Sequence, residues 1–220
     1  MSDDDVLFWR LFALIQCLPE LPPPRLLGWL GDGDETALDA DRLASLTQAE
    51  LAARFPVDAD AMTPARWRTV MDCLRGVLPA HLAVAAPARR KPQLLAAFAS
   101  QDGLTINGHF GQCRLFFIYA FDQDGSWLHD LRRYQPAGGE QEGNEVRSAL
   151  LNDCHLLFCE AIGGPAAARI IRHNIHPVKV VPGILIQSQR DALQTLLAST
   201  LPPWLAKRLE KGNPLEDRVF

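Results

Sequence analysis

The run Asn107-Gly108-His109-Phe110-Gly111-Gln112-Cys113 sets an imidazole between two glycines, with a thiol four residues further on. Histidine and cysteine are the side chains that bind late transition metals and iron–sulfur clusters, so His109 and Cys113 are candidate soft-metal ligands. Glycine at 108 and 111 allows the backbone there to take positive φ and to come close to a large ligand. A lone loop histidine is more often a solvated or hydrogen-bonded residue, and spacing alone is weak evidence for a ligand.

A second candidate is Gly163-Gly164-Pro165. It follows a buried-looking strand over His155 to Glu160 and opens a helix whose free amide groups favour an anion. The same three residues also read as a glycine-rich connection with no ligand. Arg169 and Arg172 inside that helix, and Arg114 beside the histidine loop, offer charge-assisted contacts to an anionic group, or are ordinary surface cations. His173 and His176 read as residues closing the helix. Asp32-Gly33-Asp34-Glu35 starts like a calcium loop, but Ala37 and Leu43 stand where glycine and glutamate are required, so it reads as a solvated turn.

The elements that must position these groups change character along the chain. Helices are expected over residues 5 to 17, Pro24 to Leu30, Asp39 to Ser45, Thr47 to Ala53 (with a capping box at Thr47 and Glu50) and from Thr63-Pro64 onward, with Trp67, Met71 and Leu74 as core. The stretch Ala85-Ala86-Pro87-Ala88-Arg89-Arg90-Lys91-Pro92 reads as a linker. Beyond it the period changes. Leu94 to Ala99 and Leu104 to Ile106 read as strands, Arg114 to Asp122 and Ser126 to Tyr134 as a hairpin. A polar loop over Pro136 to Gly143 then leads to a helix from Asn144 to Asn152. The strand at His155, the helix Ala166 to His173, a last strand over Pro177 to Val181 and a last long helix over Ser188 to Ser199 complete the pattern. The division is 1–84 helical, 85–92 linker, 93–200 α/β and 201–220 a partly mobile tail. A mixed sheet, antiparallel at the front and parallel at the back, is the economical assembly, with ligands at the carboxyl ends of its parallel strands.

Formal net charge is −4, so nothing in the overall balance predicts a nucleic-acid binder or a membrane-surface protein. Acidic Met1-Ser2-Asp3-Asp4-Asp5 does not make a secretory signal, and no stretch is apolar enough for a bilayer. The 5 cysteines are odd in number and scattered, which favours a reducing cytosol and argues against a cysteine-only cluster site.

Asn107-Gly108-His109-Phe110-Gly111, the Phe116-Phe117-Ile118-Tyr119 strand and Ile162-Gly163-Gly164-Pro165-Ala166-Ala167 together resemble the dinitrogenase iron–molybdenum cofactor biosynthesis family. The resemblance extends over essentially the whole length through Leu7-Phe8-Trp9-Arg10 and Pro202-Pro203-Trp204-Leu205. It implies a ribonuclease H-like mixed-sheet α/β domain without nuclease chemistry, preceded by a small all-α, sterile-alpha-motif-like domain. It further implies that the α/β domain binds the iron–molybdenum cofactor, with the motif histidine falling on His109. The helical domain would dock apo-dinitrogenase (the MoFe protein), which the family stabilises until the cofactor is inserted. The candidate cofactor-binding set is His109, Asn107, Gly108, Phe110, Gly111, Gly163, Gly164 and Arg169; Cys113 joins as a metal ligand from spacing alone. The expectation is a non-enzymatic, cytoplasmic carrier. The competing expectations are an apo-dinitrogenase interaction protein without cofactor binding, and a metal-dependent nuclease. The last lacks support, because Leu94 to Phe98 and Phe116 to Ala120 carry no carboxylates for a two-metal site.

Overall fold

Residues 2–31, 38–57, 62–85, 91–136 and 140–210 are described by a computed structural model, within which the chain divides into two units, Met1–Ala83 and Val84–Phe220. The Asp32 to Glu35 turn and most of the linker, residues 86–90, lie outside the described residues.

In the first unit, helix α1 (Asp3–Cys17) starts where the Ser2 side chain accepts from the Asp5 amide, and three aspartates occupy its first turn, where the helix dipole favours negative charge. It is followed by α2 (Pro23–Gly31), α3 (Ala40–Ser45), α4 (Gln48–Ala53) and α5 (Pro64–Leu74). Asp39, Thr47 and Thr63 cap α3, α4 and α5, with a complete capping box at Thr47 and Glu50. Helix α1 packs on α5 and buries Trp9, Ala13 and Leu14, while Trp29, Phe55 and Trp67 form an aromatic cluster with centroids 5.2 to 6.3 Å apart. The Arg10 guanidinium donates to the carbonyls of Ala40 at 2.7 Å and Leu74 at 3.0 Å, satisfying a carbonyl that the end of α5 leaves unpaired.

The second unit is built on a sheet of order β4-β3-β1-β5-β6. Strands β1 (Leu94–Ala99), β3 (Leu115–Phe121) and β4 (Ser126–Arg133) are antiparallel; β5 (Leu156–Cys159) and β6 (His176–Lys179) run parallel to β1. Every residue of β1 and β3 is buried, which is why both read as continuous apolar runs with no alternation. On one face Leu95, Ala97, Ala99, Phe116, Ile118 and Cys159 join Ala166 and Ile170 of α7 (Gly164–Arg172). On the other, Phe98 stacks on Phe158 at 4.8 Å and meets Tyr119 edge-on at 5.5 Å. Helix α8 (Ile186–Leu197) lies over that face, with the Arg190 guanidinium 4.2 Å above the Tyr119 ring. Helix α6 (Glu140–Leu150) precedes β5; the loop expected up to Gly143 is already helical from Glu140.

Three sequence expectations need correction here. Strand β7 (Ile184–Leu185) pairs antiparallel with β2 (Thr105–Ile106), so Pro177 to Val181 is not the end of the sheet structure. His176 belongs to β6 and does not close α7. Residues after Pro202 form helix α9 (Pro203–Glu210), with Leu205 fully buried and the Trp204 ring stacked on His176 at 4.6 Å; that segment therefore packs on the core where a tail was expected. Residues 211–220 lie outside the described residues. No helix among the described residues is long and apolar enough to cross a membrane.

Candidate functional site

The turn after β1 is built on Asp102. Its carboxylate accepts from the amides of Leu104 and Thr105, both at 2.7 Å, from the Thr105 hydroxyl at 2.7 Å and from the Ser100 hydroxyl at 3.0 Å. Burial pushes this carboxyl up, but the hydrogen bonds from Thr105, Leu104 and Ser100 together outweigh it and hold it below the usual range. Asn107 extends the same network, accepting from the Gln101 amide at 2.7 Å and donating to Asp102 at 3.2 Å. Asn107 thus stiffens the base of the loop.

Gly108 then passes against β1. A Cβ built there would lie 2.7 Å from the Cys113 Sγ and 2.9 Å from the Ala99 carbonyl carbon, closer than real contacts allow. Glycine is needed for that close approach. The positive φ that glycine also permits is not used at Gly108 or Gly111, since among described glycines only Gly76, Gly103, Gly125 and Gly183 have it. At Gly111 a Cβ would meet only the Asn144 Oδ1 at 3.7 Å, and at Gly163 and Gly164 nothing within 4 Å.

The loop is stitched to the carboxyl end of β5. The Phe110 amide donates to the Ala161 carbonyl at 2.9 Å and the Glu160 amide to the Gly108 carbonyl at 3.1 Å, forming a parallel bridge between His109 and Ala161. Gly163 and Gly164 follow two residues later and open α7, which has no side-chain cap. The structure therefore brings together the histidine loop and the glycine-rich helix start that the sequence placed 54 residues apart by number (109 to 163), at the ends of the parallel strands β1 and β5.

The His109 side chain is 53% exposed, and its Nε2 lies 3.0 Å from Glu160 Oε1. Sequence reasoning does not single out Glu160. Its one sequence signal is position, directly after the last residue of a buried strand. A carboxylate only accepts, so in the neutral imidazole Nε2 carries the hydrogen and Nδ1 keeps the lone pair.

The remaining candidates divide. Cys113 is fully buried among Phe110, Phe116 and Ala99; its thiol lies 3.1 Å from the Leu115 carbonyl, and burial pushes it up to about 11. It is a protonated core residue sealed under Gly108, and the expectation of a second ligand beside His109 is corrected on that ground. Phe110 is fully buried against Phe116, so it anchors the loop and does not face a ligand. Arg147 supports the same corner, donating to the Cys113 carbonyl at 2.9 Å with its guanidinium 3.8 Å above Tyr134. Arg169 is paired with Glu145 at 3.1 Å; Arg114 and Arg172 are exposed. No three His, Cys, Asp or Glu side chains converge as a metal-ion site among the described residues.

Residues 92–198 match the family model described as dinitrogenase iron-molybdenum cofactor. The chain is 62% identical over 209 residues to Protein NifY of Klebsiella pneumoniae, covering 95% of this chain and 91% of that one. It is 37% identical over 142 residues to Protein NifX of Sinorhizobium fredii, covering 60% and 88% respectively. Against Protein NifY of Azotobacter vinelandii the identity is 39% over 113 residues, covering 51% of this chain and 47% of that one.

Proposed function

The chain belongs to the dinitrogenase iron–molybdenum cofactor family together with NifY and NifX proteins, and from that premise we propose a non-enzymatic carrier that holds the iron–molybdenum cofactor at His109 and associates with apo-dinitrogenase until insertion. Its role lies in cofactor biosynthesis and nitrogenase maturation. The α/β unit is read as ribonuclease H-like, the helical unit as a sterile-alpha-motif-like docking module, and the protein as cytoplasmic.

The observation that carries this reading is the half-exposed His109 ring, held by Glu160 on a loop bonded to β5. With Nε2 turned to Glu160, Nδ1 is the nitrogen that reaches a metal of the cargo, in the arrangement by which a carboxylate orients a ligating histidine. Three residues past Ala161, the bridge partner of His109, α7 begins and offers the positive end of a helix to an anionic cluster. One nitrogen and a helix end make few strong bonds, which suits a cargo that must be surrendered. Gly163 and Gly164 serve by leaving that helix end uncovered, since a Cβ at either would meet nothing.

The test is to mix the full chain with isolated cofactor under argon, separate the complex by size, and then add apo-dinitrogenase. Molybdenum that elutes with the chain and passes to the apoprotein is the expected result. A chain that co-elutes with apo-dinitrogenase but never retains molybdenum would replace the carrier reading with that of an interaction chaperone.

A further inference from the structure

The helical unit contains a pair of thiols for which the carrier reading has no use. Cys17 is the last residue of α1 and Cys73 the penultimate residue of α5; the packing of these helices brings their Sγ atoms to 4.0 Å. Cys73 is fully buried, while Cys17 is partly open to solvent. Arg66 on α5 donates to the Cys17 carbonyl at 3.0 Å and to the Glu20 carboxylate at 2.7 Å, which fixes a guanidinium beside Cys17. The hydrogen bond from Cys73, helped by the Arg66 charge, overcomes burial and lowers the Cys17 thiol to about 7; the same hydrogen bond and burial push Cys73 upward. Cys113, Cys154 and Cys159 are buried, and burial raises all three. One thiol is thus open and inclined to ionise, and its partner is closed and adjacent.

From this geometry we propose that Cys17 and Cys73 form a reversible disulfide by exchange with a small-molecule disulfide, making the contact between α1 and α5 a redox-responsive joint. The Cys17 thiolate attacks one sulfur of the small disulfide, forming a mixed disulfide and expelling a thiolate. Cys73 gives up its proton, and its sulfur attacks the Cys17 sulfur. The second small thiolate leaves and takes up that proton. The protein dithiol is oxidised by two electrons, and one small disulfide is reduced to two thiols. The sulfurs must close from 4.0 Å to roughly 2 Å. Cys17 can make that movement because the helix ends there, with Leu18 already at φ −126 and ψ 61.

The experiment treats the reduced full chain with oxidised glutathione under argon, alkylates the remaining thiols and maps the peptides by mass spectrometry. The expected product is a Cys17–Cys73 cross-linked peptide, reversed by dithiothreitol, with Cys113, Cys154 and Cys159 alkylated only after unfolding. A Cys73→Ser variant should stop at the Cys17–glutathione adduct, and Cys17→Ser should leave Cys73 reduced. Wild-type protein that accumulates the adduct without closing, pairs Cys17 with another cysteine or keeps all its thiols free would overturn the proposal, whether or not either variant folds.

Discussion

His109 and Cys113 are joined by a backbone hydrogen bond of 2.7 Å from the Cys113 amide to the His109 carbonyl, yet their side chains meet opposite environments. The imidazole stands half in solvent against a carboxylate, whereas the thiol is sealed in the apolar core with its proton held on. Both are soft-metal ligands by type, so residue chemistry alone would give them one role. What separates them is Gly108, which lets the loop lie flat on β1 and closes the space over Cys113, and Phe110, which pins the loop from below. A loop with a wet side and a dry side can present a ring to a large ligand without moving its own backbone.

That contrast can be broken from the dry side first. Phe110→Ala removes the buried anchor and should cost about 3–5 kcal/mol in urea unfolding. A loss below 1 kcal/mol would mean that the loop does not depend on that ring.

Next is the close approach at Gly108. Gly108→Ala should destabilise by about 1–3 kcal/mol through overpacking. Gly111→Ala and Gly163→Ala, which meet no close neighbour, should each stay within about 0.5 kcal/mol. Equal effects at 108 and 111 would remove the distinction between the loop's packed and open ends.

The wet side is sharpened by Glu160→Gln, which keeps the size of the side chain but allows it to donate as well as accept. Retained molybdenum affinity should fall about tenfold, the low end for loss of a carboxylate behind a ligating histidine. Thermal stability should change little, since this pair is partly exposed. An unchanged affinity would show that the carboxylate does not orient the ring.

The smallest effect is expected in the turn that feeds the loop. Asp102 is held below its ordinary value in the folded chain, so its stabilisation is fully present above the unfolded pKa of about 4 and is lost as pH falls through the lower folded value. Asp102→Asn should therefore exchange the Leu104 and Thr105 amides faster at pH 7, and the difference from wild type should vanish in acid. A difference that persists in acid would assign the effect to packing.

Much of the scaffold was readable from the residues. Leu94 to Ala99 and Leu115 to Phe121 are unbroken apolar runs because both faces of the sheet are covered, and Thr47 with Glu50 announces a helix start by chemistry local to four residues. The His109 loop was readable for the same reason. The misses were long-range. Glu160 becomes the partner of His109 only because a parallel crossover returns β5 beside β1, and β7 exists only through its pairing with β2. Helix α9 is held by Leu205 and by Trp204 on His176, contacts that no local pattern encodes. At Cys113 the side chain was placed by spacing, but its direction was set by what Gly108 permits above it.

The most direct measurement of the difference between His109 and Cys113 is molybdenum retained after desalting when isolated iron–molybdenum cofactor is titrated under argon into wild type, His109→Ala and Cys113→Ala side by side. The histidine variant is expected to lose retention while the cysteine variant, folded though somewhat less stable, keeps it. Retention that survives in His109→Ala and disappears in Cys113→Ala would contradict that expectation.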